Sequence, residues 1–251
     1  MDIKIIIYLK ILCSKVTNDD DAGCIQSVRI RSDKSSWHGY HRYYERHLAH
    51  LHDEDHFNLV EIGFYSGGSA RAWLDIFKKE NIDVLEIDET KATTDIDPRC
   101  VILIGDQSDP VALDDVVKTV GSTSLIIDDG SHLPSHQLYT FNMWFGTFLK
   151  PGGVYIIEDI ETSYWTNGSV YGNTIVNCGM KCEDNIVNIF SSIIHQSVNR
   201  EFMKHVSDEH RIPLEIQTQI ESITFAYNCI IIHKKKNNDY DRDTYRFADC
   251  L

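Results

Sequence analysis

Leu125–His132 reads LIIDDGSH, and Val154–Ile160 reads VYIIEDI. Each is a short apolar run, rich in β-branched residues, that ends in adjacent acids. That is the pattern of a strand buried on both faces whose carboxyl end opens into a polar site. Two such strands lying parallel place Asp128, Asp129, Glu158 and Asp159 at one sheet edge. Crowded carboxylates repel one another unless protons or a cation neutralise them, and no basic residue stands beside these four in sequence. A divalent ion is the simplest reading, and oxygen-only ligands suit Mg²⁺ or Mn²⁺ better than zinc. His132 follows Asp129 closely enough to serve the same site as a base, with His136 as its rival. The blander reading is that the acids only cap the helices that follow.

Working outward, apolar runs alternate with helical patterns. Asn58–Gly63, Ile82–Ile87, Val101–Ile104, Ser124–Ile127 and Val154–Ile157 read as strands. Asp109–Thr119 and Ser135–Phe148 read as helices between them, and SGGSARAWLDIFKKE as the helix after the first strand. This alternation predicts an α/β fold with a doubly wound, mostly parallel sheet and ligands at the carboxyl ends of its strands. Asp184–His205 carries Val187, Phe190, Ile194 and Val198 at helical spacing. Ile220–Ala226 and Asn228–His233 then predict an antiparallel hairpin turning at Tyr227–Asn228. An amphipathic helix is expected around Tyr43–Leu51, preceded by an aromatic-rich segment that reads as a lid.

The chain has 251 residues, enough for one large domain with additions. The expected division is an N-terminal extension and lid over 1–56, the main domain over 57–236 and a polar tail over 237–251. A net charge of -14 argues against nucleic acid or an anionic membrane as partner and favours a small neutral or cationic molecule. Seven scattered cysteines read as reduced thiols in a cytoplasmic protein rather than a disulfide scaffold. The opening MDIKIIIYLKILCSKVT is interrupted by Lys4 and Lys10 and is too short to span a bilayer, so a buried strand or helix is expected there. Asn167-Gly-Ser matches a glycosylation triplet, which matters only in a secreted chain.

The loop VEIGFYSGGSARAW places Gly63, Gly67 and Gly68 as GxxxGG between strand and helix, not as the GxGxxG of a nicotinamide site. Glu61 supplies a carboxylate before the turn. The second strand ends at Glu86 and Asp88, where an acid can hold ribose hydroxyls. IGDQSD offers Asp106 and Gln107 to an adenine edge. A second candidate for the ribose acid, Asp97, follows in TDIDPRC; the spacing from Gly63 favours Glu86.

The segments SDKSSWHGYHRYY, VEIGFYSGGSARAW, LEIDE, IGDQSD, IIDDGSHLPSHQ, LKPGGVYIIEDIETSYW and ITFAYNCIIIHKKK together resemble the class I S-adenosylmethionine-dependent methyltransferases. Within them, the chain is most similar to the magnesium-dependent sugar O-methyltransferases of macrolide and tetracenomycin tailoring. The resemblance implies Asp129, Glu158 and Asp159 as Mg²⁺ ligands and His132 as catalytic base. It implies S-adenosylmethionine held by Glu61, Gly63, Tyr65, Ser66, Gly67, Ser69, Glu86, Asp88, Asp106, Gln107 and Asp128. A sugar-bearing small molecule would be the acceptor, with Tyr40, Tyr164 and Trp165 offering flat faces to its ring. The competing class is a non-catalytic relative that binds the cofactor or a protein partner, and the oligomeric state stays open.

Overall fold

The computed structural model describes residues 34, 38–53, 57–77, 80–91, 97–170, 173–175, 179–198 and 211–236. Its centre is a seven-stranded sheet of order β3-β2-β1-β4-β5-β9-β8. The strands are β1 (Asn58–Ile62), β2 (Asn81–Glu86), β3 (Cys100–Ile104), β4 (Thr123–Asp128), β5 (Leu149–Glu158), β8 (Ile220–Ala226) and β9 (Cys229–Lys234). β1 to β5 run parallel, while β9 pairs antiparallel with both β5 and β8. This is the expected doubly wound sheet with its antiparallel closing hairpin.

Apolar residues on alternate sides of each strand feed separate cores. Ile126 packs with Phe141, Trp144 and Phe190 on one face; Leu125 and Ile127 pack with Tyr44, Leu59 and Trp73 on the other. A strand covered on both faces has no polar side to alternate, which is why these runs are continuous in sequence.

Helices cover both faces: α1 (His41–Leu48), α2 (Gly68–Ile76), α3 (Pro110–Val120), α4 (Pro134–Trp144) and α5 (Ile186–Val198), with a short α6 at Leu214–Gln217. α3 shows how local chemistry fixes its ends. The Asp109 side chain accepts from Val111 N, Pro110 supplies a preset first turn, and Gly121 at φ +80 ends it.

Several expectations shift. The helix expected over Ser135–Phe148 stops at Trp144, and the strand expected at Val154–Ile157 begins at Leu149, ahead of the Pro-Gly-Gly it traverses. The triplet at Asn167 leads into a small hairpin of β6 (Gly168–Val170) and β7 (Asn173–Ile175) that its polar sequence did not announce. Cys182 is disulfide-bonded, whereas Cys100 and Cys229 are free thiols; the expectation of reduced cysteines therefore fails at Cys182. The apolar opening segment, the end of the helix expected to reach His205 and the 237–251 tail lie outside the described residues. Among those described, no helix is long and apolar enough to cross a membrane.

Candidate active site

Parallel pairing of β1, β4 and β5 sets Ile62 opposite Asp128, and Asp128 opposite Ile157. The residues that follow, Gly63, Asp129 and Glu158–Asp159, therefore meet at one edge. The backbones come very close there: Gly63 has φ +95, and a Cβ on it would lie 2.2 Å from the Asp129 carbonyl oxygen. No other residue type fits that crossing.

Asp129, His132 and Asp159 converge, with one donor atom from each lying within 4.8 Å of the others. His132 Nε2 is 3.8 Å from Asp159 Oδ2. Both His132 and Asp159 adopt left-handed backbone, at φ +56 and +52, a conformation costing about 1–3 kcal/mol that persists only where the surroundings impose it. The surroundings are visible. Thr162 Oγ1 donates to the His132 carbonyl at 2.5 Å. Tyr40 OH at 2.6 Å and Asn228 Nδ2 at 3.0 Å both donate to Asp159 Oδ1.

Glu158 adjoins Asp129 through a shared ammonium. Its Oε1 accepts from Tyr44 OH and its Oε2 from Lys34 Nζ at 2.5 Å. The same ammonium lies 2.6 Å from Asp129 Oδ2 and 3.2 Å from Glu61 Oε1. Burial works against the Lys34 charge, but the carboxylates of Asp129, Glu158 and Glu61 outweigh it and hold the lysine protonated. Burial in turn pushes Glu61 and Glu158 upward, against the pull of Lys34. One ammonium cannot balance this many carboxylates. The excess negative charge and the hard oxygen donors of Asp129 and Asp159 fit a divalent cation of the Mg²⁺ type, with solvent completing its shell.

Along the same edge lies the glycine loop. Ser69 Oγ donates to Glu61 Oε2 at 2.8 Å. Gly67 takes left-handed φ +71 as the residue before α2, the Ser66 carbonyl accepts from Arg71, and Tyr65 projects into solvent. Glu86 ends β2, its Oε2 accepting from Phe64 N and Tyr65 N and its Oε1 from Asp88 N. Asp97 lies before the start of β3, hence at the opposite edge of the parallel sheet, where it pairs with Arg99.

Asp128 and Gln107 face the interior of this edge. Gln107 Nε2 donates to Asp128 Oδ1 at 3.1 Å, and its Oε1 accepts from Ser131 N at 2.7 Å. Burial pushes the Asp128 carboxyl up to about 6. Asp106 accepts from the backbone and hydroxyl of Ser108. His136 contacts Ser131 Oγ at 3.1 Å and sits on α4, outside the donor cluster.

Beside Asp159 opens a cavity of about 670 Å³ lined by His38, Ile160, Glu161, Tyr164, Val187 and the β8–β9 turn from Phe225 to Asn228. Trp165 is not among its lining residues; its ring packs near Gly168. Lys34, Tyr44 and Asn228 were not read from the sequence as site residues. The segment that holds Lys34 and Tyr44, SDKSSWHGYHRYY, was the available signal, although nothing in its spacing says that a lysine reaches strand ends far along the chain.

No family profile matches the chain. The chain is 36% identical over 146 residues to the 8-demethyl-8-alpha-L-rhamnosyl tetracenomycin-C 2'-O-methyltransferase of Streptomyces olivaceus, covering 55% of this chain and 38% of that protein. It is 26% identical over 209 residues to the mycinamicin VI 2''-O-methyltransferase of Micromonospora griseorubida, covering 80% and 49%. The solved structure of MycE methyltransferase in complex with Mg, SAH and mycinamycin VI superposes with TM-score 0.66 at 25% identity, over 81% of this chain and 50% of that one. The chain thus spans half or less of the length of these relatives. Its fold is the Rossmann-like methyltransferase fold, and its homologues are sugar O-methyltransferases of macrolide and tetracenomycin tailoring.

Proposed function

We propose that the chain is a metal-dependent O-methyltransferase that moves a methyl group from S-adenosylmethionine to a sugar hydroxyl of a glycosylated small molecule. The observation that carries this reading is the convergence of Asp129, His132 and Asp159 beside a strand–glycine–helix loop flanked by Glu61 and Glu86. Relatives that act on rhamnosyl and macrolide sugars, one solved with Mg and SAH, support it. In this reading residues 57–236 form the methyltransferase domain, and Lys34, Tyr40 and Tyr44 from the segment before it reach the site.

Asp129 and Asp159 would hold Mg²⁺, with Glu158 close behind them and braced by Lys34 and Tyr44. A bound divalent ion supplies charge that stabilises an alkoxide as it forms, and the sulfonium cofactor supplies the methyl group. His132 takes the hydroxyl proton. Its ring is positioned for this by the Thr162 bond to its carbonyl and by its place next to Asp159. Glu61 and the Gly63 turn would receive the amino-acid end of the cofactor, and Glu86 its ribose diol.

Calorimetry with S-adenosylhomocysteine against NAD tests the cofactor class. Glu86→Ala should weaken S-adenosylhomocysteine by about 1.5–3 kcal/mol, the worth of charge-assisted hydrogen bonds, and Asp97→Ala should not. The reverse pattern would put the ribose acid elsewhere. EDTA should abolish turnover and Mg²⁺ restore it. His132→Ala should lose about 10²–10⁴-fold in kcat with cofactor binding intact. Full activity in excess chelator, or an unimpaired Asp129→Asn enzyme, would defeat the metal site.

A further inference from the structure

A second gathering of metal-binding side chains stands at the far end of the strands that carry the acids. Pairing of β5 with β9 sets Glu158 opposite Cys229 at the catalytic end and Val154 opposite His233 at the other. α1 lies across both: Tyr44 reaches Glu158, while His47 meets His233. His50 follows in the short 3-10 turn Ala49–Asp53, three positions after His47, a spacing that keeps two side chains on one side of a helix.

The distances suit a shared ion. His47 Nδ1 lies 2.8 Å from His233 Nε2. The His233 ring centroid is 5.1 Å from that of His47 and 5.9 Å from that of His50. A tetrahedral ion with metal–nitrogen bonds of about 2.0–2.1 Å holds its ligating nitrogens about 3.3 Å apart and their ring centroids about 5 Å apart. The rings are therefore near the spacing of a three-imidazole site, and the two facing nitrogens need to part by only about half an ångström.

The hydrogen bonds point the same way. His50 Nε2 contacts the Gly152 carbonyl at 3.1 Å; a carbonyl only accepts, so the proton is on Nε2 and Nδ1 keeps its lone pair. A ligating histidine is commonly fixed in this manner, by its other ring nitrogen donating to a backbone carbonyl. Between His47 and His233 one ring donates and the other accepts, and a metal replaces the shared proton. Burial, with charged neighbours second, holds both below the usual histidine range and so in the neutral form that ligates. All three rings are half-buried, within reach of an ion from solvent, and the neighbouring Arg46 is exposed, where water screens its charge.

We propose that His47, His50 and His233 form a second metal site, for Zn²⁺ or an ion of its class, that ties α1 to β9. Three imidazoles suit such an ion as carboxylates suit Mg²⁺, and water would fill the fourth position. With Tyr44 fastened to Glu158, the ion would pin α1 at its other end. The site stands whether or not the methyltransferase reading does.

The test uses Co²⁺, a coloured stand-in for Zn²⁺, titrated into the metal-free full chain with Mg²⁺ in excess. Intense visible bands of a four-coordinate ion should grow to one ion per chain, without the near-ultraviolet charge transfer that a thiolate ligand gives, and Zn²⁺ should displace them. His50→Gln should weaken Co²⁺ by about 10–100-fold, at least the cost of losing a partner of a ligand. His233→Asn should remove the bands, whereas Asp129→Asn, which alters only the acidic edge, should keep them. Far-UV circular dichroism of the metal-free variants shows which are folded; if His233→Asn is not, His50→Gln decides alone. Absence of the bands in the parent, bands with thiolate charge transfer, bands lost in Asp129→Asn, or an unchanged affinity in His50→Gln overturns the proposal.

Discussion

Lys34 is the residue on which the electrostatics of the site turn. It approaches Asp129 across 95 residues of chain and Glu158 across 124; it is buried together with Glu158, while Asp129 is half-buried. Removing one partner from a buried ionic cluster leaves charge that neither solvent nor protein compensates, which costs about 3–5 kcal/mol. Lys34→Met should therefore lower unfolding stability by about that amount in urea titrations at neutral pH, and Lys34→Arg should keep part of it. A Lys34→Met protein as stable as the parent would mean that the carboxylates are already neutralised by protons. A second residue-scale feature is that all four non-glycine residues at positive φ among those described, Tyr65, His132, Asp159 and Asn228, stand around this site. The backbone is bent where the chemistry gathers, and the framework behind it holds the bend.

α1 is fastened to β9 by a pair of imidazoles: His47 Nδ1 lies 2.8 Å from His233 Nε2, with the His50 ring 5.9 Å from that of His233. Burial, then the neighbouring charges of Arg46 and His50, holds His47 below its usual range; burial, then His47 and His50, pushes His233 down to about 4. In the unfolded chain a histidine titrates at about 6.5. Between these values the unfolded state holds more protons on these two histidines than the folded one, so their contribution to stability falls as pH drops from about 6.5 toward 4 and flattens below. The carboxyls of Asp83 and Asp128, which burial raises to about 6, act in the opposite sense over the same window, so the test is the difference between parent and His233→Asn: thermal melts from about pH 7 to 4 should show the variant losing less stability on acidification than the parent. Identical pH profiles for the two proteins would contradict the latch. Elements of this kind show why parts of the fold were legible in sequence and others were not. β4 and β5 announce themselves because a strand covered on both faces must be apolar throughout and can turn polar only at its end. β9 is legible for the same reason, whereas β8 is an edge strand, largely exposed, and shows itself by β-branched residues ahead of the break at Tyr227–Asn228. Asp129, His132 and Asp159 follow from those strand ends. Lys34, Tyr44 and the His47–His233 contact do not, because each depends on how a segment outside the alternating pattern is laid back across the sheet. β6 and β7 are too short to carry a period.

At the scale of the molecule, one sheet serves two cores. Trp144 belongs to the core with Phe141 and Phe190, and Trp73 to the core with Tyr44 and Phe77. Since the same strands feed both, neither core can dissolve while the other keeps its strands in register. Fluorescence of Trp73→Phe and Trp144→Phe variants should report coincident denaturant midpoints once each is referred to its own far-UV transition. Separated midpoints would show that the faces unfold independently. The strand order has a further consequence, for the order of assembly. β9 sits between β5 and β8 although it follows β8 in the chain. As the polypeptide leaves the ribosome, β8 emerges with no partner in the sheet and must wait at a distance until β9 fills the slot. The same insertion brings Asn228 to Asp159 and Glu161. Contacts of such large sequence separation are slow to form, so the last stretch of the described chain to be synthesised is also the one that completes the site, and ligand binding becomes a report that synthesis has passed it.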